Sequence, residues 1–388
     1  MSVKNNAGEL AIVKKNYQDY GSRARELKKQ GKKIIGYICA YVPVEIITAA
    51  GFVPFRIKGN VNEPITKADT KMETIVCPLV RSCFDLSIKG NYDFLDGVVI
   101  PHACDSICRT YDVWKYSLAL PYSHFINMPH GTDDSSLNFF KAILNTFRKS
   151  LGAFAGKEIS NDNLTEAIKL YNRNRVRVGK MYELRKLDPP LISGAEVTEV
   201  LVAGMSIPVE ESTQQIDTVI NEARQRTTVP DKNSARIMIV GAEVDDVAFI
   251  KLVEDTGANV VVDDLCPGAR ENLPLVDITD DPIDGIAERY LRKIHCARTY
   301  FVQTGTYQEY LEQRFGHIGR AIKDYNVDGV ILYIYKYCDP FGFEVPAMKS
   351  YIESLSTPVL YLEDEYSMST IARLRTRIQA FLELIGSR

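Results

Sequence analysis

One short pattern occurs twice in the chain, and it constrains the fold more than any other feature. Residues 96–121 read DGVVIPHACDSICRTYDVWKYSLALP, and residues 328–340 read DGVILYIYKYCDP. In both, the apolar run after Asp-Gly predicts a buried strand, and a Cys-Asp pair, beginning at Cys104 or Cys338, precedes a predicted helix. Ligands of open α/β sheets bind at the carboxyl ends of strands. Each half of the chain therefore places a cysteine where a bound group is expected.

The remaining patterns predict a chain in three parts. Residues 33–57 and 235–263 each predict a strand, a helix and a second strand, which is typical of a βαβ unit. Residues 9–29 predict one polar N-terminal helix. The fold class is thus α/β, with two Rossmann-like (flavodoxin-like) parallel-sheet domains that face each other. An internal duplication explains both halves economically, and the alternative is a chance likeness between common α/β patterns.

A helical insertion is predicted between the two α/β halves, with a linker at residues 229–231. The predicted domains are an N-terminal α/β domain with its leading helix, a helical region and a C-terminal α/β domain, over residues 1–134, 135–230 and 231–388.

Composition narrows the class of protein. A chain of 388 residues with 45% hydrophobic and 25% charged residues is typical of a soluble globular protein. A net charge of −3 gives no reason to expect a nucleic acid or an anionic membrane as partner. No apolar run reaches the roughly 18 residues of a membrane helix, and the first residues do not predict a secretory signal, so a cytoplasmic location is expected. Eight cysteines in such a chain indicate thiols or metal ligands rather than disulfides.

Three cysteines share a predicted location. Cys77, Cys104 and Cys338 each lie at a helix N-terminus or a strand end, where helix N–H groups favour a thiolate. If the two halves face each other, these three residues converge. Three thiolates and one open position suit an iron–sulfur cluster that binds a small ligand. The alternatives are buried thiols that pack as small hydrophobic groups and, less favoured because zinc ligands come in close pairs, a structural zinc site.

The other five cysteines are weaker candidates. Cys39 and Cys266 lie at strand ends in their own halves, and either one is a candidate to line a cleft between the two halves. Cys296 lies in a polar segment, and periodicity reveals no role for it. Cys83 and Cys108 fall later on their helices and are predicted to pack.

Three polar residues are candidates to line the same cleft. His102 precedes Cys104 by two residues, and Arg81 and Arg109 lie in the first turns of their helices, where an arginine can pair with a phosphate. A histidine satisfied by its own loop and solvated arginines are the alternatives. The chain has no Walker A sequence: residues 152–157 (GAFAGK) lack its spacing and its Ser/Thr. If the reaction uses ATP, another polypeptide binds it.

Six segments, in this order, resemble a known family. They are GYICAYVPVEIITAAGFVPFRI, CPLVRS, DGVVIPHACDS, VVDDLCPGAR, DGVILYIYKYCDP and PVLYLEDEYSMSTIARLRTRIQAFLELI. Together they are similar to the 2-hydroxyacyl-CoA dehydratase / benzoyl-CoA reductase family. Within it, they are closest to the third (C, or gamma) subunit of ATP-dependent benzoyl-CoA reductase.

The resemblance implies the ligands of a cofactor. It assigns a [4Fe–4S] cluster to three cysteines, which in this chain are Cys77, Cys104 and Cys338. The other set, Cys39, Cys266 and Cys296, falls where the double-cubane proteins of the family have three more ligands. A single [4Fe–4S] cluster and a sulfide-bridged double cubane both stay open.

The resemblance also implies a reaction and partners. The ring of benzoyl-CoA is reduced to a cyclic dienoyl-CoA by single-electron steps in anaerobic aromatic degradation. The implied partners are a homologous cluster-binding subunit, ATP-hydrolysing electron-activating subunits with their own [4Fe–4S] cluster, a ferredoxin as upstream donor, and the acyl-CoA substrate. The alternatives are a subunit of a 2-hydroxyacyl-CoA dehydratase and a non-catalytic scaffold subunit. Four aromatic residues are candidates to wall a flat ring or to pack in the core: Tyr37, Tyr41, Phe341 and Phe343.

Overall fold

Two four-stranded parallel sheets organise the chain. The computed structural model describes residues 9–227 and 235–386. The strands are β1 (Ile34–Tyr37), β2 (Val53–Arg56), β3 (Gly97–Pro101), β4 (Tyr122–Ile126), β5 (Ala235–Gly241), β6 (Ala258–Asp264), β7 (Gly329–Tyr335) and β8 (Val359–Asp364). Their orders are β2-β1-β3-β4 and β6-β5-β7-β8, so the two halves share one topology. The prediction of an α/β chain with two Rossmann-like parallel sheets is confirmed.

The repeated Asp-Gly has a structural reason in both sheets. The Asp96 carboxylate accepts a hydrogen bond from the backbone N–H of Ile34 at 2.8 Å, and the Asp328 carboxylate accepts one from that of Arg236 at 2.8 Å. The aspartate therefore satisfies a backbone donor where β1 or β5 begins. The glycine that follows Asp96 gives room, because a Cβ on Gly97 would lie 2.7 Å from Tyr122.

Fourteen α-helices surround the sheets in the described residues. They are α1 (Glu9–Gln18), α2 (Ser22–Lys29), α3 (Val44–Ala49), α4 (Pro78–Ile88), α5 (Asp105–Ser117), α6 (Asp134–Ala155), α7 (Asn161–Glu183), α8 (Gly194–Gly204), α9 (Val209–Arg224), α10 (Val247–Asp255), α11 (Pro282–Glu288), α12 (Tyr307–Asp324), α13 (Asp339–Ser354) and α14 (Ile371–Gly386). Short helical turns lie at Ala68–Thr70, Cys266–Arg270, Arg289–Lys293 and Met368–Thr370. Among these described helices, none has the length and apolar character needed to cross a membrane.

The prediction of one helix over residues 9–29 was wrong. The structure has α1 and α2 there, separated by Gly21, whose φ of 98° lies in the left-handed region. Glycine adopts this conformation without a steric penalty, and it ends a right-handed helix.

The four helices α6 to α9 occupy most of the segment between the sheets. Side-chain caps fix three of their starts: Asp133 accepts from the N–H of Ser136, and Ser160 and Ser193 each begin a capping box. The helix α7 packs against α3 of the first half, and α8 packs against α10 and β6 of the second. The division into domains at residues 1–134, 135–230 and 231–388 stays a prediction, and the linker predicted at residues 229–231 lies outside the described residues.

The core is continuous from the first sheet into the second. On β5, Ile237 and Ile239 belong to the large core, whereas Met238 and Val240 pack into a smaller one on the other face. Successive strand residues point to opposite faces, so this sheet is buried on both sides, as parallel sheets are. Burial of both faces leaves the strand ends as the place where a bound group is reached.

Candidate metal centre

One cavity at the carboxyl ends of both sheets collects most of the cysteines. It has a volume of about 80 Å³, and residues that follow β1, β3, β5 and β7 line it. Seven of the eight cysteines are among its lining residues: Cys39, Cys77, Cys83, Cys104, Cys266, Cys296 and Cys338. Thiols that are far apart in sequence therefore surround one space.

The three cysteines that were predicted to bind a cluster occupy equivalent local positions. Cys77, Cys104 and Cys338 are the residues directly before helices α4, α5 and α13. In each case, a backbone N–H three residues further on lowers the pKa of the thiol; these N–H groups belong to Val80, Ile107 and Phe341. A helix N-terminus thus faces each of the three sulfur atoms.

Burial nevertheless dominates the pKa of these thiols. Desolvation raises the pKa of Cys77 to about 11 and that of Cys39 to about 12. It also raises the pKa of Cys104, Cys266 and Cys338 well above the usual value. As expected, the N–H groups at the helix ends lower the pKa of the thiols. The rise in pKa caused by desolvation is larger than this lowering. Free of metal, these thiols are protonated near neutral pH, and a bound cation has to displace the proton.

The loops after β1 and β7 contain strained backbone at the cavity. Cys39 has a φ of 74° and Tyr337, next to Cys338, has a φ of 62°. Residues other than glycine rarely adopt positive φ, at a cost of about 1–3 kcal/mol, and such residues cluster at functional sites. Both loops are therefore held in shape by the contacts around them.

Cys266 and Cys296 come from the long segment between β6 and β7. Cys266 begins the irregular turn Cys266–Arg270, and Nη1 of Arg270 donates a hydrogen bond to its Sγ at 3.3 Å. Cys296 is partly exposed and lies between that turn and α12. Both residues line the cavity beside the first three cysteines.

Cys83 also lines the cavity, which the sequence analysis missed. It follows Val80 by three residues, so both lie on the same face of α4, and this spacing was the available signal. Its Sγ lies 3.9 Å from the carbonyl oxygen of Ile57. Cys108 is not among the lining residues.

The three polar candidates lie outside the cavity lining. His102 pairs with Asn127 through Nδ1 at 3.2 Å, and Arg81 forms an ion pair with Asp69. The side chain of Arg109 is 70% exposed. Since each helical residue is rotated by about 100° from the one before it, the first-turn arginines face away from the side that meets the cavity.

Aromatic side chains form part of the wall. Of the four aromatic candidates, Phe341 lines the cavity, and Tyr335 and Tyr337 line it as well. Tyr41 instead lies close to Thr299, with 3.0 Å between the hydroxyl oxygens. Phe343 is 85% exposed.

A buried ion pair joins the two halves beside the cavity. Glu243, which lines it, contacts Nη2 of Arg56 at 2.5 Å, and Glu271 contacts Nη1 of Arg56 at 3.1 Å. Arg56 ends β2 of the first sheet, whereas Glu243 follows β5 of the second. The ion pair therefore holds the strand ends of the first sheet against those of the second.

A second contact between the halves contains a carboxyl group with a shifted pKa. Asp245 accepts hydrogen bonds from the N–H of Gly59 at 3.0 Å and from the hydroxyl of Tyr366 at 2.7 Å. Burial raises the pKa of this carboxyl to about 7. A Cβ on Gly59 would lie 2.5 Å from the Tyr366 hydroxyl, so the chain approaches closely there.

Arg298 is a second charged lining residue, beside Glu243, that the sequence analysis did not single out. Its Nε donates to the carbonyl of Ala103 at 3.1 Å, and its Nη2 donates to that of Pro129 at 2.7 Å. Only its position two residues after Cys296 hinted at a role. The arginine ties the Cys296 segment to the loop that carries Cys104.

The donor set is compatible with a polynuclear cluster. In the described parts of the chain, no group of three or more His, Cys, Asp and Glu side chains is arranged to hold one metal ion. In a cubane, each thiolate binds a different iron, and the sulfurs stand roughly 6–7 Å apart. Thiols spread around one cavity are compatible with that arrangement.

Comparison with known proteins identifies the family. Residues 39–385 match the family model described as "2-hydroxyglutaryl-CoA dehydratase, D-component". The chain belongs to this family.

Individual relatives are similar over nearly the whole chain. The sequence is 28% identical to the benzoyl-CoA reductase subunit designated C in Thauera aromatica, over 92% of this chain and 93% of that protein. It is also 28% identical to YjiM of Escherichia coli K12, whose name describes a dehydratase subunit by inference, over 93% of each chain. It is 24% identical to the (R)-phenyllactyl-CoA dehydratase beta subunit of Clostridium sporogenes, over 93% of this chain and 94% of that one. Each of these relatives is named as a subunit, which supports a partner subunit for this chain.

Proposed function

We propose that this chain is the iron–sulfur subunit of an acyl-CoA enzyme, with a cluster bound by Cys77, Cys104 and Cys338. The observation that supports this most is the single cavity lined by seven cysteines from both halves. Cysteines that serve only as small hydrophobic groups have no reason to gather at one strand-end cavity. The three named residues also share the position before a helix, where backbone N–H groups face the sulfur.

The cavity favours the larger of the two candidate cofactors. Cys39, Cys266 and Cys296 line it together with the first three cysteines, so six ligands are available for a sulfide-bridged double cubane. Iron analysis separates the two forms, since a single cubane contains about four iron atoms per chain and a double cubane about eight.

The protein's contribution is burial and positioning. The bound cluster supplies single electrons at low potential. The apolar residues Leu79, Val80 and Ile107 line the cavity and exclude water. The helix N-termini before which the three cysteines lie supply N–H groups that tune the potential.

Reduction of the aromatic ring of benzoyl-CoA is the reaction we favour. The similarity to the benzoyl-CoA reductase relative covers nearly the whole chain. Tyr335, Tyr337 and Phe341 line the cavity, and flat side chains suit a flat acyl group. In this proposal, two electrons and two protons convert the ring to a cyclic dienoyl-CoA.

Dehydration of a 2-hydroxyacyl-CoA is the second candidate. It is supported by the family description and by the similarity to the (R)-phenyllactyl-CoA dehydratase beta subunit. In that reaction, the injected electron is recycled and water leaves. Electron consumption therefore separates the two activities.

The proposed partners are a homologous subunit and an ATP-hydrolysing activator with its own [4Fe–4S] cluster, supplied with electrons by a ferredoxin in the cytoplasm. A nucleotide-binding partner is needed because this sequence contains no Walker A pattern.

The test is an assay of the native complex, purified without oxygen, with benzoyl-CoA and a 2-hydroxyacyl-CoA side by side. We expect benzoyl-CoA to consume two electrons per product and to require ATP. Turnover of the 2-hydroxyacyl-CoA with only a catalytic trace of electrons would assign the dehydratase activity instead. A native chain without iron and acid-labile sulfide would leave the scaffold role.

A further inference from the structure

Arg298 is a buried arginine with a free donor at the cysteine cavity. It is 5% exposed, and its Nη1 has no hydrogen-bond partner in the described structure. Its Nε and Nη2 are used by the carbonyl oxygens of Ala103 and Pro129, which hold the guanidinium in place. The N–H groups of Nη1 are therefore the unused donors of a side chain that lines the cavity.

The positive charge of Arg298 is also without a carboxylate partner. None of the ion pairs among the described residues includes Arg298, whereas Arg56 pairs with Glu243 and Arg314 with Glu344. The acidic residues that line the cavity are Glu243 and Asp339. Glu243 is paired with Arg56, and Asp339 lies in the first turn of α13, where the helix end favours its charge.

Neighbouring arginines show what is missing at Arg298. Arg270 contacts Asp264 at 3.0 Å and also Sγ of Cys266. Arg314 contacts Glu344 at 2.5 Å. The Arg298 guanidinium does have an aromatic neighbour, since its Cζ lies 5.0 Å from the centroid of the Tyr41 ring. A ring does not neutralise the charge, and a buried charge without an ionic partner is costly. A buried guanidinium that lines a cavity therefore indicates an anion there.

We propose that Arg298 donates its free Nη1–H to the anionic cluster bound in the cavity and thereby raises the reduction potential of that cluster. This inference rests on the proposed function, because it takes the cluster as given. An iron–sulfur cluster with thiolate ligands is an anion, and one-electron reduction makes it more negative. A fixed positive charge stabilises the reduced form more than the oxidised form. Arg298 is then a positioning residue that also sets how readily the cluster accepts an electron.

The experiment is a redox titration of the anaerobically purified chain with titanium(III) citrate, in the absence of acyl-CoA. Loss of the charge in Arg298→Gln should lower the ratio of reduced to oxidised cluster about tenfold at a given potential, which is about 59 mV for one electron. Arg298→Lys keeps the charge and should recover most of that shift. Electron paramagnetic resonance reports the reduced cluster, and iron analysis reports its occupancy.

A matched control separates the charge from the shape of the loop. Arg314 donates to the carbonyl oxygens of Ala297 at 3.0 Å and Thr299 at 2.7 Å, on both sides of Arg298, yet it does not line the cavity. Arg314→Gln should therefore leave the potential unchanged. An equal shift in Arg314→Gln and Arg298→Gln would overturn the inference, since loop distortion would explain both.

The other possible results for the Arg298 variants also support or refute the inference. If Arg298→Gln binds full iron at the wild-type potential, the inference is wrong, and a changed affinity for acyl-CoA in that variant would make the substrate the anion. If Arg298→Gln loses its cluster, Arg298→Lys decides: a bound cluster near the wild-type potential supports the role of the charge, and loss of the cluster refutes it. Absence of a cluster from the wild-type chain would be a failure of the proposed function instead.

Discussion

The two sheets share a strand order but surround their cysteines differently. At the third strand of each half the match is close: Cys104 after β3 and Cys338 after β7 both precede a helix directly. At the second strand, Cys77 precedes the regular helix α4, whereas Cys266 begins an irregular turn. At the first strand, Cys39 has no cysteine counterpart in the residues that follow β5.

The segment between the second and third strands accounts for most of the difference. It spans residues 57–96 in the first half and residues 265–328 in the second. The longer one adds Cys296, Arg298 and the Arg270 contact to Cys266. The shared topology therefore explains the placement of thiols at the strand ends, and the longer segment of the second half adds Arg270 and Arg298 beside them.

The largest predicted effect concerns the equivalent pair, Cys104 and Cys338. Serine at either position should remove the cubane that both residues bind from the anaerobically purified chain, because each supplies one of its thiolates. Iron and acid-labile sulfide analyses measure the loss. Cys108 lies in α5, the helix that Cys104 directly precedes, but it is outside the cavity lining, so Cys108→Ser should keep its iron. Equal losses at Cys108 and Cys104 would refute the ligand assignment.

The next effect concerns the pair whose surroundings differ. We expect Cys77→Ser to lose the cubane that Cys104 and Cys338 also bind, whereas Cys266→Ser should keep that cubane and fall from about eight to about four iron atoms per chain. The same iron analysis applies to both. Unchanged iron in Cys266→Ser would mean a single [4Fe–4S] cluster, with Cys266 as a packing residue.

A smaller effect is expected where a side chain of one half meets the other. Glu243→Gln leaves the buried Arg56 with Glu271 as its remaining partner, and we expect the free energy of unfolding to fall by about 3 kcal/mol. Urea unfolding of the cluster-free chain measures this. Glu353→Gln, in an exposed pair with Lys349, should change it by less than about 0.5 kcal/mol. Similar losses in both variants would mean that the Arg56 contact does not stabilise the interface between the halves.

The smallest effect depends on pH. The folded pKa of Asp245, about 7, lies above its unfolded value, so the folded state binds more protons between about pH 4 and pH 7. The contribution of this carboxyl to stability is therefore greatest at acidic pH and is lost as the pH rises towards 7. Relative to the wild type, Asp245→Asn should gain about 2 kcal/mol between pH 5 and pH 7.5. Unfolding curves at both pH values test this, and parallel pH dependence of the two proteins would contradict it.

The sequence predicted the strands best where a buried run had clear ends. The Asp-Gly-Val start and the following loop gave β3 as residues 97–101, as the structure has it. The break at Gly21 was missed because a polar stretch on both sides of a single glycine resembles one outer helix. Only the backbone conformation distinguishes the two.

The site was predictable to the extent that it follows from topology. Strand ends and helix starts placed Cys77, Cys104 and Cys338 on one edge of each sheet, and all three line the cavity. Cys83 and Arg298 were missed because their roles come from how separate segments pack. In particular, Arg298 reaches the cavity through carbonyl contacts to residues more than a hundred positions away in the chain. Arg81 and Arg109 were predicted to line the cavity but do not, because a position near a strand end does not determine which way a helical side chain points.

The most direct test of the central claim is anomalous diffraction at the iron edge from crystals of the anaerobically prepared chain. We predict iron peaks inside the cavity, within bonding distance of the Sγ atoms of Cys77, Cys104 and Cys338. Fully occupied crystals with these three sulfurs free of iron, or with iron bound only elsewhere on the chain, would contradict the account.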